Sequence, residues 1–129
     1  MKNIHQTIHF EASPEDVYAL IMDQAKHADL TGSDVVMSNE VNGKFEVFDG
    51  YCHGHNIELE PGRKIVQAWH FDEDGWDDDH YSTCTFIFTP SGSGCSLSFT
   101  QTDVPDESSE SLEQGWKDFY WNPMKTYLE

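Results

Sequence analysis

The chain has 129 residues and a formal net charge of −17 at pH 7, from 24 acidic residues against 7 lysines and arginines. This charge repels phosphate backbones and anionic lipid surfaces, so we expect neither nucleic acid nor a membrane as a partner. The length suits a single domain over residues 1–129 that buries its own core. No apolar run approaches the ~20 residues of a membrane span, the N-terminus lacks a signal-peptide core, and the cysteines show no metal-binding spacing. We therefore expect a cytoplasmic protein with reduced thiols.

The first third of the chain predicts one strand followed by two short helices. Apolar residues alternate through residues 2–10, which is typical of a strand. Ser13 is suited to cap a helix and Pro14 to occupy its first turn, so a helix begins there. A second short helix is expected from Gln24 to Leu30, ended by Gly32.

The middle of the chain predicts strands joined by hairpins. Alternation indicates strands at residues 44–49, 51–60, 64–71 and 80–89, and a last one from Cys95 until Pro105 breaks it. The acidic loop at residues 72–79 lacks the spacing of a calcium loop, so we expect it to be solvated and mobile. Trp76 within this loop either closes over a cavity mouth or packs against the sheet.

The residues after Pro105 predict a long helix with one aromatic-rich face. Counted from Leu112, apolar residues recur at steps of 4, 7, 8, 12, 15 and 16, which is a helical period. The apolar face carries four aromatic rings, Trp116, Phe119, Tyr120 and Tyr127, and we expect the first three to lie against the core.

Two residues of this helix break the pattern. Trp121 points about 180° away from the apolar face, so we predict that it contacts a partner protein. The alternative is burial under the N-terminal strand or the short helices. Pro123 lacks the amide that would bond to the carbonyl of Phe119, so a kink near Phe119 is expected.

The element order gives an α+β protein, and nine segments of the chain resemble a known family: residues 10–18, 30–32, 49–50, 54–59, 61–62, 64–69, 81–86, 97–102 and 115–121. The chain is similar to the AHSA-like proteins (activator of heat-shock protein 90 ATPase homologues, C-terminal-type domain) of the START-like, or SRPBCC, superfamily. That resemblance implies a helix-grip fold, in which a curved antiparallel sheet of about six or seven strands surrounds a long C-terminal helix, with two short helices after strand 1.

The resemblance also implies a cavity between sheet and helix, and our leading hypothesis is a non-enzymatic protein that holds a small hydrophobic ligand there. His53 and His55 share one face of their strand with Ile57, so they could orient the polar end of a ligand. A metal would need a third ligand that the spacing does not name, and we expect no metal and no cofactor. The predicted cavity residues are His53, His55, Trp69, Cys84, Phe86, Phe99, Trp116, Phe119 and Tyr120.

Two other functions stay open. The first is a cochaperone-like interaction module that modulates a chaperone ATPase in a stress response. The family's name comes from a cochaperone with an additional N-terminal domain, for which we expect no room in this chain. The second is an enzyme that acts on a small apolar substrate in the same cavity. The sequence shows neither a G-x-S-x-G elbow nor a phosphate-binding P-loop, so no residue is assigned a catalytic role.

Overall fold

The computed structural model describes residues 1–128, which form one seven-stranded antiparallel sheet, two short helices and a C-terminal helical segment. The strands follow the order β1-β7-β6-β5-β4-β3-β2 across the sheet. Their bounds are β1 Lys2–Phe10, β2 Val36–Met37, β3 Lys44–Val47, β4 Cys52–Glu60, β5 Lys64–Phe71, β6 Ser82–Ser91 and β7 Gly94–Val104. The helices are α1 Pro14–Met22, α2 Gln24–Thr31, α3 Asp106–Trp116 and α4 Asn122–Leu128. The predicted helix-grip fold is confirmed. None of the helices within residues 1–128 has the length and apolar character needed to span a membrane.

The start of α1 and the end of α2 lie where the predicted capping residues place them. The Ser13 hydroxyl accepts a hydrogen bond from the Asp16 amide at 3.2 Å, which satisfies one free donor of the first turn of α1. Asp23 caps α2 in the same way by accepting from the Lys26 amide at 2.9 Å. Gly32 ends α2 with φ 71°, a left-handed conformation that costs glycine little.

The C-terminal segment contains a π-helical turn, Lys117–Trp121, between α3 and α4. The Asn122 amide bonds to the Lys117 carbonyl, five residues back, so the proline-induced kink predicted near Phe119 takes the form of a wider turn. Relative to an α-helical turn, a π turn inserts about one residue, and the side chains that follow shift around the helix by about one position.

This shift corrects two predictions about the last helix. Trp121 is only 3% exposed, so the prediction that it faces a partner is wrong and the alternative of burial under the N-terminal strand is right. Its indole stacks on Trp116 with ring centroids 5.5 Å apart, and its N–H donates to Gln6 of β1 at 2.7 Å. Phe119 is 59% exposed, so the prediction that it lies on the buried face is also wrong.

A β-bulge in β4 corrects the predicted position of the histidine pair. Asn56 and Glu58 pair with the consecutive residues Gln67 and Val66, which leaves Ile57 unpaired. Before the bulge, the buried face of β4 therefore carries the even-numbered residues from Cys52 to Asn56.

His53 and His55 consequently lie on the outer face of the sheet, and the prediction that they face the cavity is wrong. The ring centroids of His53 and His70 are 4.9 Å apart, and the rings of His53 and His55 each lie with their centroids 5.9 Å from that of Tyr81.

Candidate functional site

A pocket lies between the C-terminal helical segment and one end of the sheet. Its volume is about 270 Å³. The sheet contributes the ends of β4 and β5, and the other walls come from α3, the π turn, the 3₁₀ turn Phe48–Gly50 and the start of the acidic loop. The lining residues are Phe48, Tyr51, Cys52, Trp69, Phe71, Glu73, Ser111, Leu112, Gly115, Trp116, Phe119 and Tyr120.

Four of the nine predicted cavity residues line this pocket. Trp69 and Trp116 form its floor with their rings 5.2 Å apart, Tyr120 lies beside them, and Phe119 stands at the mouth. Three others lie in the closed core away from the pocket, where they are at most 1% exposed: Cys84, Phe86 and Phe99.

Sequence reasoning missed most of the remaining lining. Phe71 could have been found, because it lies two residues beyond Trp69 on the same face of β5. Leu112 was placed on the correct helix face but not in the cavity. No feature of the sequence predicts that Phe48 lines the pocket. The predicted strand continues to residue 49, whereas β3 ends at Val47 and Phe48 takes a left-handed φ of 53°.

The floor of the pocket is held by buried polar bonds. The Trp69 indole N–H donates to Gln67 Oε1 at 2.9 Å, and Gln67 Nε2 donates to Asn56 Oδ1 at 2.9 Å. The Trp116 indole N–H donates to Gln101 Oε1 at 2.8 Å. Because buried amides and indoles need partners, these bonds fix the orientation of both tryptophans.

Tyr120 is tied to a buried histidine on α2. The Tyr120 hydroxyl lies 2.9 Å from His27 Nε2, and His27 Nδ1 lies 2.8 Å from the Ile21 carbonyl oxygen. A carbonyl oxygen only accepts, so Nδ1 carries the proton and Nε2 accepts from the tyrosine. Burial lowers the pKa of His27 and raises the pKa of Tyr120, so both groups stay neutral near pH 7.

One carboxylate stands at the pocket mouth. Glu73 accepts hydrogen bonds from the Tyr51 hydroxyl and, at 3.0 Å, from the Ser108 hydroxyl. Burial, together with this contact to Glu73, raises the pKa of Tyr51 well above its usual value. Trp76 donates its indole N–H to Ser108 at 3.1 Å and packs on Phe71, so it supports the mouth and does not line the pocket.

Comparison with known proteins identifies relatives over most of the chain. The family model described as "Activator of Hsp90 ATPase homolog 1-like protein" matches residues 11–129. A Dictyostelium discoideum protein named "Activator of 90 kDa heat shock protein ATPase homolog" is 36% identical over 109 residues, which cover 84% of this chain and 28% of that protein. The Mus musculus "Activator of 90 kDa heat shock protein ATPase homolog 2" is 28% identical over 126 residues, which cover 98% of this chain and 38% of that protein. The chain thus spans 28% and 38% of the lengths of these two curated relatives.

Solved structures share the same fold. An HSP90 activator from Plasmodium falciparum superposes with a TM-score of 0.91 at 24% identity, covering 99% of this chain and 96% of that chain. The Aha1 dimer from Colwellia psychrerythraea gives a TM-score of 0.81 at 18% identity, covering 100% of this chain and 97% of that chain. The family-model match over residues 11–129 and the 36% identity to the Dictyostelium discoideum relative show that the chain belongs to the Activator of Hsp90 ATPase homolog 1-like family.

Proposed function

We propose that this protein is a cochaperone-like module that binds an Hsp90-class chaperone and changes the rate at which the chaperone hydrolyses ATP. The observation that carries the proposal is its 36% identity, over 84% of this chain, to a relative named as an activator of that ATPase. The relatives are much longer, so the proposal concerns what this domain contributes by itself.

The surface suits an electrostatically assisted contact. The acidic loop carries six carboxylates and no basic residue between residues 72 and 79. Such a field attracts a basic patch on a partner and speeds association, and salt screens it. With Trp121 buried, the exposed Phe119 becomes our aromatic candidate for a partner contact on the last helix. Its ring centroid lies 5.9 Å from that of Phe48.

Direct binding tests this proposal. We expect saturable binding to the Hsp90-class chaperone of the same host, weaker at physiological than at low ionic strength because the charges are exposed. The Asp77→Asn, Asp79→Asn double variant should weaken binding severalfold at low salt. The control pair Asp29→Asn, Asp34→Asn carries the same charge change on exposed residues elsewhere and should leave the affinity within about twofold. No detectable binding at low salt would overturn the proposal.

The pocket supports a second candidate function, the binding of a small hydrophobic ligand. Its volume of about 270 Å³ lies just below the range of about 300–1,000 Å³ typical of small-molecule sites, so the ligand would be small. Most lining side chains are aromatic or aliphatic. An enzyme acting in the same pocket stays a third hypothesis, with no residue assigned to catalysis.

A substitution at Gly115 can test whether the pocket holds a ligand. A Cβ at this position would meet only the Phe119 ring, at 3.9 Å, so a larger side chain would extend into the pocket space. Gly115→Leu should fill the pocket without unfolding the protein, because leucine is favoured over glycine in a helix by up to about 1 kcal/mol. Gly115→Ala is the matched control, since it adds one methyl group and leaves most of the volume.

Native mass spectrometry of protein purified gently from its own host provides the measurement. We expect a stoichiometric added mass on the wild-type protein and on Gly115→Ala, lost when an aliquot is denatured. Gly115→Leu should show the mass of the protein alone, with no added mass. A bare wild-type protein, or an equal added mass on Gly115→Leu, would contradict the ligand proposal and leave the chaperone proposal untouched.

A further inference from the structure

The pocket combines aromatic rings with a single carboxylate. Seven of its twelve lining residues are phenylalanine, tyrosine or tryptophan, Glu73 is acidic, and no lysine, arginine or histidine is among them. Aromatic faces carry partial negative charge and attract cations, most strongly where the cation is shielded from water. The lining therefore has the character of a cation site as well as an apolar one.

The Glu73 carboxylate has acceptor positions left for a ligand. Its two oxygens accept from Tyr51 and Ser108, which are both neutral donors, and a carboxylate offers about four acceptor positions. Among the ion pairs of residues 1–128, none joins Glu73 to a basic group. Two hydroxyl groups thus hold the carboxylate in place without neutralising it.

The elements around the mouth reinforce this charge. The acidic loop contributes six carboxylates between residues 72 and 79, and α3 contributes four between residues 106 and 116, with no basic residue in either segment. A concave site surrounded by one sign of charge concentrates the opposite ion.

We propose that this pocket binds a small organic cation, in which a quaternary ammonium group carries a short apolar body. The inference rests on the pocket being a ligand site, as proposed above, and specifies the ligand's class. A primary ammonium would have to bury three N–H donors, each needing an acceptor. Glu73 at the mouth has acceptor positions left for some of these donors, but the rest of the lining is mostly aromatic, and aromatic rings are weak acceptors. A quaternary ammonium needs only aromatic faces and a nearby negative charge.

The test compares choline with 3,3-dimethyl-1-butanol, which has the same shape with carbon in place of the charged nitrogen. Binding is followed through the indole N–H resonances of Trp69 and Trp116, the two tryptophans that line the pocket. We expect choline to bind at least about tenfold more tightly than the neutral alcohol. Glu73→Gln should weaken choline binding about tenfold, whereas Glu110→Gln, an exposed charge change on α3 outside the lining, should change it less than about twofold.

The outcomes separate this inference from the pocket proposal. Equal binding of the alcohol and choline would overturn the cation inference and leave an apolar ligand site. So would absence of choline binding to a protein that carries a native added mass, lost in Gly115→Leu. Absence of choline binding in a protein that is also bare when isolated would overturn both.

Discussion

Replacing Trp121 with alanine should lower the free energy of unfolding by about 3–5 kcal/mol, the usual cost of deleting a buried tryptophan. Trp121 is 3% exposed, stacks on Trp116 and donates to Gln6. The variant loses these ring contacts and leaves the Gln6 oxygen without its donor. Because a typical domain is stable by only about 5–15 kcal/mol, the change would be a large share of the total.

Phe119→Ala is the matched control, two residues earlier on the same helical segment. Its ring is 59% exposed, so we expect a loss below about 1 kcal/mol. Urea unfolding of both variants measures the difference, provided that the slope with denaturant is unchanged. A regular α-helix would reverse the order, with Phe119 buried and Trp121 exposed. A greater loss for Phe119→Ala would therefore contradict the π turn at Lys117–Trp121.

Below about pH 6.5, we expect the protein to lose stability because of His27. Burial lowers the pKa of this histidine in the folded chain, so the unfolded chain binds a proton that the folded chain does not. The unfolded state then holds more protons, and the free energy of unfolding falls as the pH falls. The slope approaches about 1.4 kcal/mol per pH unit, until the pH reaches the pKa of the folded state.

His27→Gln should reduce this slope between pH 7.5 and pH 5.5, a window that spans the ordinary histidine pKa of about 6.5. Tyr120→Phe is the control: it removes the hydroxyl partner but keeps His27 buried, so the slope should persist. Denaturant unfolding at each pH provides the measurement. If wild type and His27→Gln lose stability in parallel over this window, the buried neutral histidine does not govern the acid response.

The parts of the fold that depend on local signals could be predicted from the sequence. Ser13, Pro14 and Gly32 determine helix ends through bonds and dihedral angles within a few residues. The alternation in β6 and β7 is regular, so Phe86 and Phe99 lie on the inward face that the strand period predicts, although they lie in the closed core and do not line the pocket.

The parts of the candidate site that depend on irregular backbone could not be predicted. The bulge at Ile57 changes which side chains of β4 face the core. Before the bulge, the residues opposite to the predicted ones face inward, so His53 and His55 lie on the outer face of the sheet. The π turn moves Trp121 inward and Phe119 outward by the same kind of one-residue shift. Strand and helix periods assume regular hydrogen bonding, so a single inserted residue reverses which side chains face the core.

The central claim is tested most directly by the ATPase rate of the host's Hsp90-class chaperone, measured while this protein is added to saturation. We predict a saturable change in the rate with the isolated chain, although it spans only 28% and 38% of the lengths of the two curated relatives. An unrelated protein of similar net charge serves as the control and should leave the rate unchanged. A rate that stays constant at concentrations where binding is saturated would contradict the proposed function.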